Sequence, residues 1–138
     1  MNPEQIRAVL DTGALIAYSL GDMAVGETLT EMASEESARF AVPALCLLEA
    51  HRHATSAEQH NRLGVLRQHP LFWGAPLTTD QLDILRIWHP TAGADAHAAY
   101  VLLSSPHAMV LTDRAAMYVV DLGIDTGLVN DITEKWED

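Results

Sequence analysis

The stretch RAVLDTGALIAYSL, residues 7–20, carries an apolar run, one acid and a second apolar run. Residues 7–10 predict a short buried strand, and the residues after Asp11 predict a short helix that breaks near Gly21. A carboxylate between two core-forming segments costs free energy unless it has a partner. Asp11 therefore either caps the helix that follows it or binds something at the end of the strand.

Short apolar runs alternate with helical patterns along the rest of the chain. The further predicted strands are residues 39–42, 72–76, 108–113 and a last one within 123–131. The further predicted helices are residues 22–37, 43–54, 56–68, 80–89, 93–105 and 114–123. Ser56 is the expected N-cap of the third of these helices, and Pro90 is expected to end the fourth. This alternation predicts an α/β fold with a parallel sheet.

Composition limits the class of protein. The 138 residues, 49% of them apolar, predict one domain spanning residues 1–138. Nineteen acids against eight Lys and Arg give a net charge of −11, which excludes a broad basic surface that holds nucleic acid by counterion release alone. Cys46 is the only cysteine, so neither a disulfide framework nor a thiolate zinc site is expected. The chain has no bilayer-length apolar stretch and no secretory signal pattern, so we expect a cytoplasmic protein with no membrane partner.

Two acids follow predicted strands. Asp11 ends the first strand, and Asp113 ends the strand before the helix of residues 114–123. In open parallel sheets, ligands bind outside the carboxyl ends of the strands, so both carboxylates are expected on one edge of the sheet. The alternative for each is a helix cap.

Two further acids lie beside apolar residues on predicted helices. Asp95 shares its helix face with alanines and with Leu102, where an unpaired carboxylate costs several kcal/mol, on the order of a broken buried ion pair. The alternative for Asp95 is an acid in the first helical turn, favoured by the helix dipole. Glu49 borders an apolar face, and its alternative is a salt bridge with Arg52 or Arg39.

Carboxylates gathered in one pocket repel each other, and a hard divalent cation such as Mg²⁺ or Mn²⁺ relieves that repulsion. Oxygen ligands suit these metals. A bound metal activates water and stabilises the charge on a phosphate under attack. The four acids therefore predict a carboxylate-bound metal site for phosphodiester hydrolysis.

Four segments also resemble, in order, the motifs of PIN-domain ribonucleases. They are VLDTGALIAY (9–18), VPALCLLEA (42–50), GADAHAAYVLL (93–103) and MVLTDR (109–114). The length and the order of acids resemble single-domain members such as VapC-type toxins of toxin–antitoxin pairs. The resemblance implies a three-layer α/β/α sandwich with a central, mainly parallel sheet. It also implies a Mg²⁺- or Mn²⁺-dependent endoribonuclease that forms homodimers and binds a cognate antitoxin.

Carried over by position, the resemblance assigns roles to individual residues. The acidic cluster that binds the metal would be Asp11, Glu49, Asp95 and Asp113. Thr12 and Thr112 would orient carboxylates or water. Arg52 and Arg114 are the first choices for contacts with RNA, with Arg86 and Arg7 as further ones.

The fourth motif departs from the pattern of the family. Many members place one residue between the Thr and the acid, whereas Asp113 follows Thr112 directly. Asp113 is therefore expected to hold a second, weaker ion or to act through water. This departure and the low number of bases motivate an alternative function, a PIN-like binding module with weak catalysis. A nuclease that acts on DNA is a further alternative, because the same metal chemistry would serve it.

Overall fold

A computed structural model describes residues 2–133, so the parts of the predicted domain at residue 1 and at residues 134–138 lie outside it. A five-stranded sheet forms the centre, with all strands parallel and in the order β3-β2-β1-β4-β5. The strands are β1 (Ile6–Leu10), β2 (Arg39–Pro43), β3 (Phe72–Ala75), β4 (Met109–Thr112) and β5 (Val129–Asp131). The predicted α/β class with a parallel sheet is confirmed.

Helices cover both faces of the sheet and give a three-layer α/β/α arrangement. They are α1 (Thr12–Ser19), α2 (Met23–Met32), α3 (Ala44–His53), α4 (Ala57–Arg67), α5 (Thr79–Ala92) and α6 (Asp95–Leu103). Short 3-10 turns cover Pro3–Gln5 and Thr126–Leu128, and a π-helical segment covers Met117–Asp121. Helix α1 packs on α2, α3 and α4, and α5 packs on α6. Crossovers between parallel strands are right-handed as a rule, which puts these two groups of helices on opposite faces of a sheet with this strand order. Helix α6 packs on β1, β2 and β4.

Strand β1 occupies the middle of the sheet because its apolar residues can be buried on both faces. Val9 pairs with Ala41 of β2 on one side and with Val110 of β4 on the other. The chain moves outward from β1 in one direction to β2 and β3, and in the opposite direction to β4 and β5. The carboxyl end of β1 therefore lies where the strand order reverses, which is the usual ligand-binding position in such sheets.

Polar side chains begin three of the helices. Asp11 accepts from the backbone N–H of Ala14, Asp22 accepts from that of Ala24, and Ser56 accepts from that of Gln59. Each bond satisfies an N–H group that the first helical turn leaves without an intrahelical partner. The predicted cap at Ser56 and the capping alternative for Asp11 are both confirmed.

Two helix predictions need correction. Helix α5 does not end before Pro90 but continues to Ala92, with Pro90 inside its last turn. The buried Ala92 holds that turn against the core, and the N–H of Gly93, at φ +60°, closes it on the carbonyl of His89. Helix α2 ends at Met32 rather than near residue 37, and a residue with positive φ, Ser37, lies in the turn before β2.

No helix among residues 2–133 is both long enough and apolar enough to cross a membrane. The buried apolar residues of this part of the chain form a single core around the sheet.

Helix α6 provides a test of core packing because its Ala99 is fully buried. We expect Ala99→Leu to lower the free energy of unfolding by about 1–3 kcal/mol, since three added carbon atoms must displace close-packed neighbours. Leu103→Ala is the matched control on the same helix, because Leu103 is 55% exposed. It should change stability by no more than about 0.5 kcal/mol. Urea unfolding measures both, and equal losses would contradict this packing.

Candidate functional site

The candidate site lies at the carboxyl edge of the sheet, between the ends of β1 and β4. Asp11 directly follows β1, and Thr112 is the last residue of β4. Asp95 begins α6, which packs on β1, β2 and β4. Three of the predicted site residues are thus brought together by three different elements.

Asp11 is fully buried, and both of its carboxylate oxygens have donors. Oδ1 accepts from the backbone N–H of Ala14 at 3.0 Å. Oδ2 accepts from the hydroxyl of Tyr118 at 2.8 Å, and Tyr118 is itself fully buried in the π-helical segment. The carboxylate of Asp11 is therefore held in one orientation from both sides.

Asp95 is 2% exposed, and its two oxygens face different surroundings. Oδ1 accepts from the backbone N–H of Thr12 at 3.0 Å and from the thiol of Cys46 at 3.6 Å. Oδ2 accepts from Nη1 of Arg114 at 3.2 Å. The hydrogen bond from Thr12 joins Asp95 to the residue next to Asp11, so the two carboxylates share one pocket.

The two buried carboxylates share the positive charge of Arg114. Burial, and next the negative charge of Asp95, raise the pKa of Asp11 to about 7, although hydrogen bonds from Thr112, Ala14 and Tyr118 act in the opposite direction. Burial and the same two negative charges also raise the pKa values of the Cys46 thiol and the Tyr118 hydroxyl. Both groups are therefore neutral donors at physiological pH, and neither acts as a nucleophile in this state.

The two threonines that were predicted to support the site differ in their contacts. Thr112 accepts the backbone N–H of Arg114 on its hydroxyl oxygen, at 2.9 Å. The hydroxyl oxygen of Thr12 is buried and has no hydrogen-bond partner among residues 2–133. A buried hydroxyl without a partner costs free energy. The hydroxyl of Thr12 can therefore form a hydrogen bond with a ligand that enters the site.

Glu49 does not join the buried pair. Its side chain is 33% exposed and contacts Nη1 of Arg52 at 3.2 Å and Nε2 of His53 at 3.3 Å. The alternative interpretation from the sequence, a salt bridge with Arg52, is the arrangement observed.

Asp113 lies at the edge of the site. Its side chain is exposed and its carboxylate packs directly on Gly13 in the first turn of α1. A Cβ on Gly13 would collide with Oδ1 of Asp113, so only glycine allows this approach. Asp113 therefore lies beside helix α1 rather than between the two buried carboxylates.

Two carboxylates and one hydroxyl are the oxygens available at this edge of the sheet for the metal predicted from the sequence. Within residues 2–133, no three His, Cys, Asp or Glu side chains come close enough to hold one ion together. Asp11 and Asp95 are two carboxylates that meet, and Thr12 adds a buried oxygen without a partner. Mg²⁺ is commonly bound through one or two carboxylates, with water and substrate phosphates completing its shell. The two carboxylates fit such an ion in chemistry, and a cation would supply the missing positive charge.

Three contacts of the site were not predicted from the sequence. Tyr118 lies within an apolar helical run, and the only signal was that a buried tyrosine hydroxyl needs a partner. Cys46 is a buried free thiol, and its bond to Asp95 was not predicted. Arg114 was predicted to contact RNA, and in the structure it binds Asp95.

Comparisons of the chain with family models, with curated proteins and with solved structures found no match. Membership in the PIN-domain family therefore stays a prediction from the four sequence motifs.

The raised pKa of Asp11 predicts how stability depends on pH. Its pKa is about 7 in the folded state and 3.8 without the fold, so ionisation of the buried carboxyl destabilises the protein as pH rises. The contribution of the Asp11 carboxyl to the free energy of unfolding is fully present below pH 3.8 and is lost as pH rises through 7. The slope approaches about 1.4 kcal/mol per pH unit in that window.

Asp11→Asn tests this directly, because an amide oxygen still caps the helix and the amide nitrogen can donate to Tyr118. In metal-free buffer, the variant should become more stable relative to the natural chain as pH rises from 4 to 8. Urea unfolding at several pH values measures the difference. A constant difference across that range would show that Asp11 titrates at its ordinary pKa.

Proposed function

We propose that this protein is a metal-dependent nuclease that hydrolyses RNA phosphodiester bonds at the Asp11–Asp95 pocket. One observation carries the proposal: two buried carboxylates meet at the reversal point of a parallel sheet, and they are short of positive charge. Buried carboxylates with perturbed pKa values in such a position are typical of functional sites.

In this proposal Asp11 and Asp95 hold Mg²⁺ or Mn²⁺. A bound ion of this kind lowers the pKa of its water and neutralises charge on a phosphate. Tyr118 and the N–H of Ala14 keep the carboxylate of Asp11 in a fixed orientation. The hydroxyl of Thr12, which has no other partner among residues 2–133, is available to orient a water or a ligand oxygen.

The outer acids have supporting roles in the proposal. Glu49 would have to leave Arg52 and His53 in order to reach the ion, so it acts most simply through water. The exposed carboxylate of Asp113 beside α1 suits the second, weaker ion that the shifted fourth motif suggests. The side chains of Arg52 and Arg114 are exposed and would provide charge for backbone phosphates.

RNA as the substrate, and the role of toxin in a type II toxin–antitoxin pair, are supported by the resemblance of the four motifs. A net charge of −11 favours a basic partner, and the exposed acids of α2, Glu27 and Glu31, offer contacts for a basic antitoxin segment. Exposed Leu82, Ile84 and Ile87 on α5 support a homodimer. The proposed substrate and partner both place the protein in the cytoplasm.

A second candidate function is a binding module without strong catalysis. It is favoured by the contacts of Glu49 with Arg52 and His53 and by the contact of Arg114 with Asp95, because both leave fewer free oxygens for a metal. Titration with Mn²⁺ separates the two functions: a nuclease binds the ion at millimolar concentration or below, whereas the module does not.

Asp11→Asn should lower RNA cleavage in Mn²⁺ by more than about a hundredfold, because it removes a charged metal ligand and keeps the fold. Asp22→Asn is the matched control, since Asp22 caps α2 in the same way and lies outside the pocket. Cleavage of a mixed-sequence RNA, with and without EDTA, measures the effect. Single-stranded DNA of the same sequence tests the alternative substrate.

Undiminished cleavage by folded Asp11→Asn would refute the mechanism. Cleavage of the DNA at a rate equal to or above that of the RNA would favour the DNA-directed nuclease.

A further inference from the structure

We propose that Arg114 is a built-in counter-ion of the site, which holds the outer oxygen of Asp95 until a phosphate of a nucleic-acid backbone draws the guanidinium away. Divalent-ion binding and phosphate binding would then be coupled through this one side chain. The inference rests on the proposed function, because it concerns how the same pocket receives its ion and its substrate.

The contact between Arg114 and Asp95 joins a buried anion to a half-exposed cation. Asp95 is 2% exposed at its side chain and Arg114 is 46% exposed. The guanidinium therefore approaches Asp95 from the solvent side, through Nη1 and Oδ2 at 3.2 Å. The other oxygen, Oδ1, is bound from inside by Thr12 and Cys46. Oδ2 is thus the oxygen of Asp95 that an incoming ion would meet first, and Arg114 occupies it.

The backbone of Arg114 is fixed at the end of β4, whereas its side chain is held mainly by Asp95. Its N–H donates to the hydroxyl of Thr112 at 2.9 Å, directly at the end of β4. The second nitrogen of the guanidinium reaches the carbonyl of Thr91 at 3.5 Å, which is at the limit of hydrogen bonding. The head group of Arg114 therefore depends mainly on Asp95, and the long side chain can turn outward about a fixed point of attachment.

A divalent ion and the guanidinium compete for the same carboxylate. Two cations on adjacent sides of Asp95 repel each other in a site where water screens poorly. Arg114 brings one positive charge to two buried carboxylates. A divalent ion would satisfy both carboxylates, but it has to displace the existing contact first.

A phosphate is the group best suited to remove Arg114 from Asp95. The planar guanidinium binds two oxygens of a phosphate through parallel hydrogen bonds, whereas here Asp95 accepts only one. The single hydrogen bond between Nη1 and Oδ2, at 3.2 Å, is weaker than such a two-pronged contact. A nucleic-acid backbone at the edge of the sheet would therefore take up Arg114 and leave Oδ2 of Asp95 open to the ion.

The test measures Mn²⁺ binding by isothermal titration calorimetry for the natural chain and three variants. Arg114→Gln removes the counter-ion, and Arg114→Lys keeps a charge at that position. Arg67→Gln is the matched control, because it removes the same charge from an exposed position at the end of α4. We expect Arg114→Gln to bind Mn²⁺ about tenfold more tightly than Arg67→Gln. Thermal unfolding without metal checks that each variant folds.

The second arm repeats the titrations with a saturating 2′-O-methyl RNA hexamer. The hexamer should tighten Mn²⁺ binding in the natural chain and in Arg67→Gln by about tenfold more than in Arg114→Gln, since only the first two proteins have the Arg114 guanidinium to release. Arg114→Lys should behave like the natural chain, with a smaller difference because ammonium lacks the two-pronged geometry.

The outcomes separate this inference from the proposed function. If Arg114→Gln binds Mn²⁺ no more tightly than Arg67→Gln, Arg114 is not the counter-ion, and Mn²⁺ binding by the natural chain still supports the nuclease. If the hexamer tightens Mn²⁺ binding equally in all variants, release by phosphate is refuted. If neither the natural chain nor Arg114→Gln binds millimolar Mn²⁺, the metal-dependent function fails and the inference fails with it.

Discussion

The burial of Asp11 beside Asp95 is the constraint on which the rest of the site depends. Two carboxylates without water cost free energy unless donors and positive charge surround them. The chain supplies those donors from α1, from the π-helical segment and from the residue pair after β4, through Ala14, Tyr118 and Arg114. Each of these elements thus provides a donor to one oxygen of the pair.

The site and the fold form together, because the contacts join distant parts of the chain. Thr12 and Asp95 are 83 residues apart, and Asp11 and Tyr118 are 107 apart. The π-helical turn that carries Tyr118 is an unusual conformation that occurs often at functional sites. A chain that loses the packing of α6 on the sheet would therefore lose the pocket as well.

The sheet and the position of Asp11 at the end of β1 could be predicted from the sequence, because burial and helix capping leave local patterns in it. The apolar runs at β1 and β4 each end next to a polar residue, and both strands form as expected. Contacts between distant residues leave no such pattern, which is why the bond from Tyr118 was missed. Glu49 was misplaced for a related reason: spacing gives the face of a helix, but Arg52 and His53 on the same helix decide where its side chain points. Pro90 failed as a stop signal because burial of Ala92 outweighs one lost hydrogen bond.

The pair Asp11–Asp95 remains costly even with all of its donors. Replacing buried ionic groups by apolar residues of similar volume is often neutral or stabilising, so stability alone does not account for them. The apolar strands and the helix caps around the pair match what the fold requires. A single energetically costly feature in such a setting is expected at a functional site. The buried hydroxyl of Thr12, which also has no partner among residues 2–133, lies on the same side of the sheet and adds to the cost. Both costs fall if one cation and its oxygen ligands enter the pocket. The excess of negative charge and the proposed metal chemistry therefore concern the same two carboxylates.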